Sequence, residues 1–73
     1  MTLAEAKVGE RVRVDGLRGA SQADEAIRLG IAPGSEFTVL SKVNQGPVVV
    51  QGRVSQIAIG HQLARRIAVS RLA

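Results

Sequence analysis

The chain has 73 residues, no Cys, a net charge of +4 and 45% hydrophobic content. Without Cys it has neither a disulfide staple nor a zinc thiolate, and at this length only about 60% of the unfolded surface can be buried, so one apolar core must hold a single domain spanning residues 1–73. The basic excess permits an anionic partner without requiring one; the start shows no basic segment followed by an apolar one, and no run approaches the roughly 18 apolar residues of a membrane span, so a soluble protein is expected.

Phe37 is the only aromatic residue, which leaves a core of Val, Ile, Leu and Ala, residues whose β-branched members favour strands. Leu3-Ala4-Glu5-Ala6 reads either as one helical turn or as an extended lead-in, and Val8-Gly9-Glu10 as a turn. From Glu10 to Leu17, Val12 and Val14 alternate with Arg11, Arg13 and Asp15, the period of a half-buried strand. A loop over 16–20 leads to Ser21, which suits an N-cap, with Asp24 and Glu25 placed for the positive end of a helix over residues 22–29. Ala23, Ala26, Ile27 and either Leu29 or Gly30 share a face of this helix, which at about 12 Å is too short to stand alone and must lie on a sheet.

The stretch Arg28-Leu29-Gly30-Ile31-Ala32-Pro33-Gly34 carries the densest punctuation. Gly30 ends the helix in the left-handed conformation, Ile31 drops back onto its apolar face, and Pro33-Gly34 suits the middle of a type II turn. A strand follows over Glu36–Val43, with Phe37, Val39 and Ser41 on one side and Leu40 on the other. Asn44-Gln45-Gly46-Pro47 is a hairpin loop, 48–52 a strand, Gly52 a bend or bulge, and 53–59 a further strand. Residues 60–64 form a helical turn, and Arg66–Ser70 the last strand with Ile67 and Val69 inward. The fold class is mostly β: a small, partly open, five-stranded SH3-like barrel with one short α-helix after the first strand.

Chemistry is sparse. His61 is the only His, there is no Tyr, the five serines lack a nucleophile motif, and the six carboxylates are scattered, so no enzyme is expected. A core of this size also leaves no room for a pocket of a few hundred Å3. A closed metal site needs three or four converging ligands, and His61 is a weak candidate for an open one; no cofactor is expected. The glycines match no phosphate-binding pattern. Arg11 and Arg13 share an outward strand face that Arg53, Arg65, Arg66 and Arg71 can join, which suits nucleic acid, but no exposed aromatic offers a base a stacking surface. Leu40, Leu63 and Leu72 are candidates for an apolar docking patch.

Val8-Gly9-Glu10 before the first strand, the helix ending in Leu29-Gly30-Ile31, the Pro33-Gly34 turn, the Gly46-Pro47 hairpin, Gly52, and Ala64, Ile67 and Val69 near the end together resemble the FeoA family over nearly the whole chain. The hairpin lacks the family's frequent Asp between Gly and Pro, and Ile59-Gly60-His61 stands where the family usually carries Leu-Arg. The resemblance implies an SH3-like barrel and a small cytoplasmic accessory protein of ferrous iron uptake, acting on the membrane GTPase-transporter FeoB. On that reading the rigid tip formed by Leu29, Gly30, Ile31, Pro33 and Gly34, together with Leu40, is the candidate partner surface. The alternatives are a nucleic-acid-binding barrel using Arg11 and Arg13, and a weak Fe(II) module using His61.

Overall fold

The alternation of Val12 and Val14 with charged neighbours produces β1 (Arg11–Leu17), in which both valines are buried and Arg11, Arg13 and Asp15 are exposed. The computed structural model describes residues 1–72, with the backbone alone for residues 20–23. Ahead of β1, Leu3–Glu5 form a 3-10 turn whose start is closed by the Thr2 N–H donating to Glu5 Oε1 at 2.7 Å. Helix α1 runs over Ala20–Arg28, followed by β2 (Glu36–Lys42), β3 (Val48–Gln51), β4 (Gln56–Ile59), a four-residue helix α2 (His61–Ala64) and β5 (Ile67–Arg71).

The strands form one antiparallel sheet in the order β4-β3-β2-β1-β5. β1 is the shared strand: Val12 opposes Phe37 of β2, and Val14 opposes Val69 of β5. The sheet wraps so that inward residues of all five strands meet in one core, with Leu3, Ala26, Ile31 and Leu63 closing it from the connecting segments. β4 and β5 do not pair with one another. The outer side of β5 meets the N-terminal residues instead, where the Val69 N–H donates to the Met1 carbonyl at 2.8 Å and Thr2 bridges Ala68. This is the five-stranded SH3-like architecture, open along one seam rather than closed by a continuous ladder.

The helix end follows the expected chemistry. Gly30 has φ +83°, its N–H donates to the Ile27 carbonyl at 3.0 Å, and the Ile31 N–H donates to the Ala26 carbonyl at 2.8 Å. These are the two bonds of a Schellman cap, with Ile31 returned to the core at 1% exposure. Pro33 and Gly34 then occupy the middle of a turn closed by the Ser35 N–H on the Ala32 carbonyl at 2.9 Å, and Gly34 takes φ +93° as a type II turn requires.

Several details differ from the sequence expectation. The helix begins at Ala20 with Gly19 as its N-cap, so it starts two residues before the expected 22; the capping role of Ser21 and the packing of Ala23 lie outside the described side chains. The earlier start leaves Asp24 and Glu25 beyond the first turn, too far in for them to complement the helix dipole. Ile27 is 63% exposed, so α1 meets the sheet through a narrower strip than its apolar residues suggested. Residues 53–55 are not strand: Gly52 and Ser55 close the tip of the β3–β4 hairpin, the Gly52 N–H reaching the Ser55 carbonyl at 2.9 Å. Ser41 is exposed because the β2–β3 register slips between Val39 and Ser41, a one-residue shift that turns the following side chains over. Leu63 is buried, which removes it from any docking patch.

Candidate functional site

A groove of about 610 Å3 opens at the ends of β1, β2 and β3. Its position follows from the ladder. Arg11 opposes Thr38, and Thr38 opposes Gln51, so three outward side chains from three strands stand in one row. Neighbouring strands lie about 4.8 Å apart, so the row is roughly 10 Å across. The two turns adjoining the row supply Gly34, Ser35, Gly52 and Arg53. The sequence expectation that so small a core leaves no room for a pocket is corrected here: the space lies on the sheet's rim, outside the core.

The groove's electrostatics are set by two guanidinium groups and one carboxylate, Arg11, Arg53 and Glu36. Arg11 Nη2 lies 3.4 Å from Glu36 Oε1, and both side chains are half exposed or more. An exposed pair of this kind contributes about 0.2–1 kcal/mol. Arg53 makes no ion pair among the described residues. Gln51 is fixed by its Nε2, which donates to the Gly52 carbonyl at 3.0 Å and the Ser55 carbonyl at 3.3 Å. Gly52 packs closely: a Cβ there would stand 3.2 Å from Phe37 Cε1, so the ring that underlies this end of the groove would have to give by a few tenths of an ångström.

The expected docking tip lies beside this groove. Gly34 lines it, and Gly30 lines a smaller recess of about 190 Å3 that shares its Glu36, Phe37 and Arg53 wall. Pro33 is exposed, Leu29 half-buried and Ile31 buried, so Ile31 holds the tip from beneath. Leu40 is 39% exposed on β2, outside the groove lining.

The basic face is more neutral than its sequence suggested. Arg13 Nε lies 3.9 Å from Asp15 Oδ1, and Arg71 pairs with Glu10, so Arg11, Arg13 and Arg71 each have an acidic neighbour. Glu10 is held below the usual carboxylate range first by the backbone N–H of Lys7, which donates to its Oε1 at 2.6 Å, and then by Arg71. Glu5 is lowered in the same way by the Thr2 backbone N–H. His61 is the first residue of α2 and half-buried; among the described residues no three His, Asp or Glu side chains converge.

Arg53, one of four arginines expected to join the Arg11 face, does so across 42 positions (53 minus 11), while Arg65, Arg66 and Arg71 are not in the groove lining; the groove itself was not expected. Among the described residues no helix is long and apolar enough to cross a membrane.

Comparison with known proteins places these features in context. Residues 1–71 match the model of the FeoA domain. A protein of Methanocaldococcus jannaschii that bears the name of an Fe(2+) transport protein A is 41% identical over 70 residues, covering 92% of this chain and 82% of its own. The crystal structure of an iron uptake regulatory protein (FeoA) superposes with a TM-score of 0.90 at 27% identity, covering 99% of this chain and 97% of that one. The FeoA of Stenotrophomonas maltophilia, solved with zinc and described as a procaryotic SH3 domain protein and a candidate ferrous iron transport activating factor, superposes with a TM-score of 0.78 at 26% identity over 96% of this chain and 89% of that one.

Proposed function

Because the chain belongs to the FeoA domain family, we propose that it is a non-enzymatic accessory protein of ferrous iron uptake, acting in the cytoplasm on the membrane transporter FeoB. The match of residues 1–71 to the FeoA domain is the observation that carries this reading. The whole chain then acts as one binding module. Its docking surface is the rigid tip of Leu29, Gly30, Pro33 and Gly34, supported from below by Ile31, together with Leu40 on β2. A tip fixed by a Schellman cap and a type II turn loses little freedom on binding, which favours docking through a small area.

A module of this kind regulates its partner only by binding two of its states unequally. The test is therefore the affinity of the purified protein for the cytosolic part of FeoB from the same source, measured with GDP and with a non-hydrolysable GTP analogue. Binding with a severalfold difference between the two nucleotide states is expected, and Leu40→Glu should weaken both. No binding in either state would end the reading.

A further inference from the structure

We propose that the groove at the ends of β1, β2 and β3 binds an acidic peptide segment in extended conformation, its carboxylates taken by Arg11 and Arg53 and its backbone by Thr38 and Gln51. This ligand class follows from the groove alone and stands apart from the transporter reading.

The charge argument comes first. Two guanidinium groups and one carboxylate line the groove. Arg53 has no acidic partner among the described residues, and Arg11 holds Glu36 through a single 3.4 Å contact exposed to solvent. Such a contact is weak, so an incoming carboxylate that engages a guanidinium through two parallel bonds displaces it. Arginine, with its planar fork, suits this recognition better than lysine, and both cations of the groove are arginines.

The remaining wall matches a peptide. Thr38 offers a hydroxyl in the middle of the row. Gln51, anchored by its Nε2, keeps Oε1 as an acceptor for a peptide N–H. Gly34 and Gly52 carry no side chain into the groove, so a ligand backbone can approach its floor. The volume of about 610 Å3 lies within the roughly 300–1,000 Å3 typical of ligand clefts.

The same features disfavour a nucleic acid. Single-stranded binders stack bases on aromatic rings, and the only ring here, Phe37, is 6% exposed and covered at its edge by Gly52.

The experiment uses the whole 15N-labelled chain and the acetylated octapeptide (Ser-Glu)4, with (Ser-Gln)4 and an oligothymidine of eight nucleotides as the alternative probes. Saturable amide shifts confined to residues 34–38 and 51–53 with (Ser-Glu)4, and absent with (Ser-Gln)4, are expected. Arg53→Gln and Arg11→Gln should each weaken the Glu peptide at least fivefold while the rest of the spectrum is unchanged, since both side chains lie outside the core. Equal binding of the Gln peptide, shifts centred elsewhere, tighter binding of the oligothymidine in the same groove, or full affinity in Arg53→Gln would each overturn the proposal.

Discussion

At the scale of single residues, two backbone positions decide how the chain leaves its helix. Gly30 and Gly34 both have positive φ, and open space surrounds the position of a Cβ at each. The requirement for glycine is therefore conformational and not steric toward neighbours. A side chain in the left-handed region costs about 1–2 kcal/mol, more for a β-branched one. Gly30→Val should lower stability by more than about 1 kcal/mol in a denaturant melt, and an unchanged midpoint would show that another residue carries the cap. Glu10 makes a second residue-scale case. Its folded pKa lies below the ordinary 4.5, because the Lys7 N–H and then Arg71 favour the charged form. A depressed carboxylate contributes stability above its unfolded pKa and loses it as pH falls through the folded one. Thermal stability should thus be level near neutrality and decline below about pH 4.5, with Glu5 contributing in the same direction. Glu10→Gln should start lower at pH 7 and show a shallower acid decline. Parallel curves for the two proteins would remove Glu10 from the linkage.

Elements differ in how firmly they are tied to the core, and this sets both dynamics and legibility. β1, β3 and β5 bury alternate side chains almost completely, among them Val12, Val50 and Ile67 at 0% exposure. Truncating Ile67 to Ala should cost about 2–5 kcal/mol in equilibrium unfolding; a loss under 1 kcal/mol would mean that the core collapses around the gap. Helix α1 buries Ala26 but leaves Ile27 63% exposed. Local opening is cheapest where buried apolar contact is least, so hydrogen exchange should release the α1 amides well before those of Val12, Val50 and Val69. Equal protection would place α1 within the global folding unit. The strands and the helix end were readable because their signals are local: a period of two in Val12 and Val14, a glycine and a proline at fixed offsets after Leu29. The helix start was not, since Ser21 fits an N-cap by type while the chain uses Gly19 two residues earlier. The exposure of Ser41 and the start of β4 at Gln56 instead of residue 53 depend on registers set by partner strands. The burial of Leu63 depends on where α2 docks. None of these is written in its own neighbourhood. The groove is the extreme case, because Arg11 and Arg53 meet only through three strands of pairing.

For the molecule as a whole, the net charge of +4 is less decisive than its arrangement. Arg11, Arg13 and Arg71 lie on neighbouring strands, and each faces an acid: Glu36, Asp15 and Glu10. Long-range attraction to a polyanion comes from uncompensated charge and is screened beyond about 8 Å at physiological salt. Phosphate binding by several free cations gives an affinity that falls steeply with salt, its logarithm dropping by roughly 0.9 per phosphate neutralised for each tenfold rise in salt on duplex DNA. The exposed pairs are weak enough for each arginine to turn toward an anion, but Glu36, Asp15 and Glu10 stay beside them and offset part of the attraction to phosphate. The protein should therefore bind a 20-base-pair duplex weakly at low salt and not measurably at 150 mM. Arg11→Glu with Arg13→Glu takes the net charge from +4 to 0, four units lower at two units per substitution, and should remove the weak low-salt binding. Tight duplex binding, with a steep salt slope that the double substitution flattens, would restore the strand face as a nucleic-acid surface and leave FeoA membership as a statement about descent and fold.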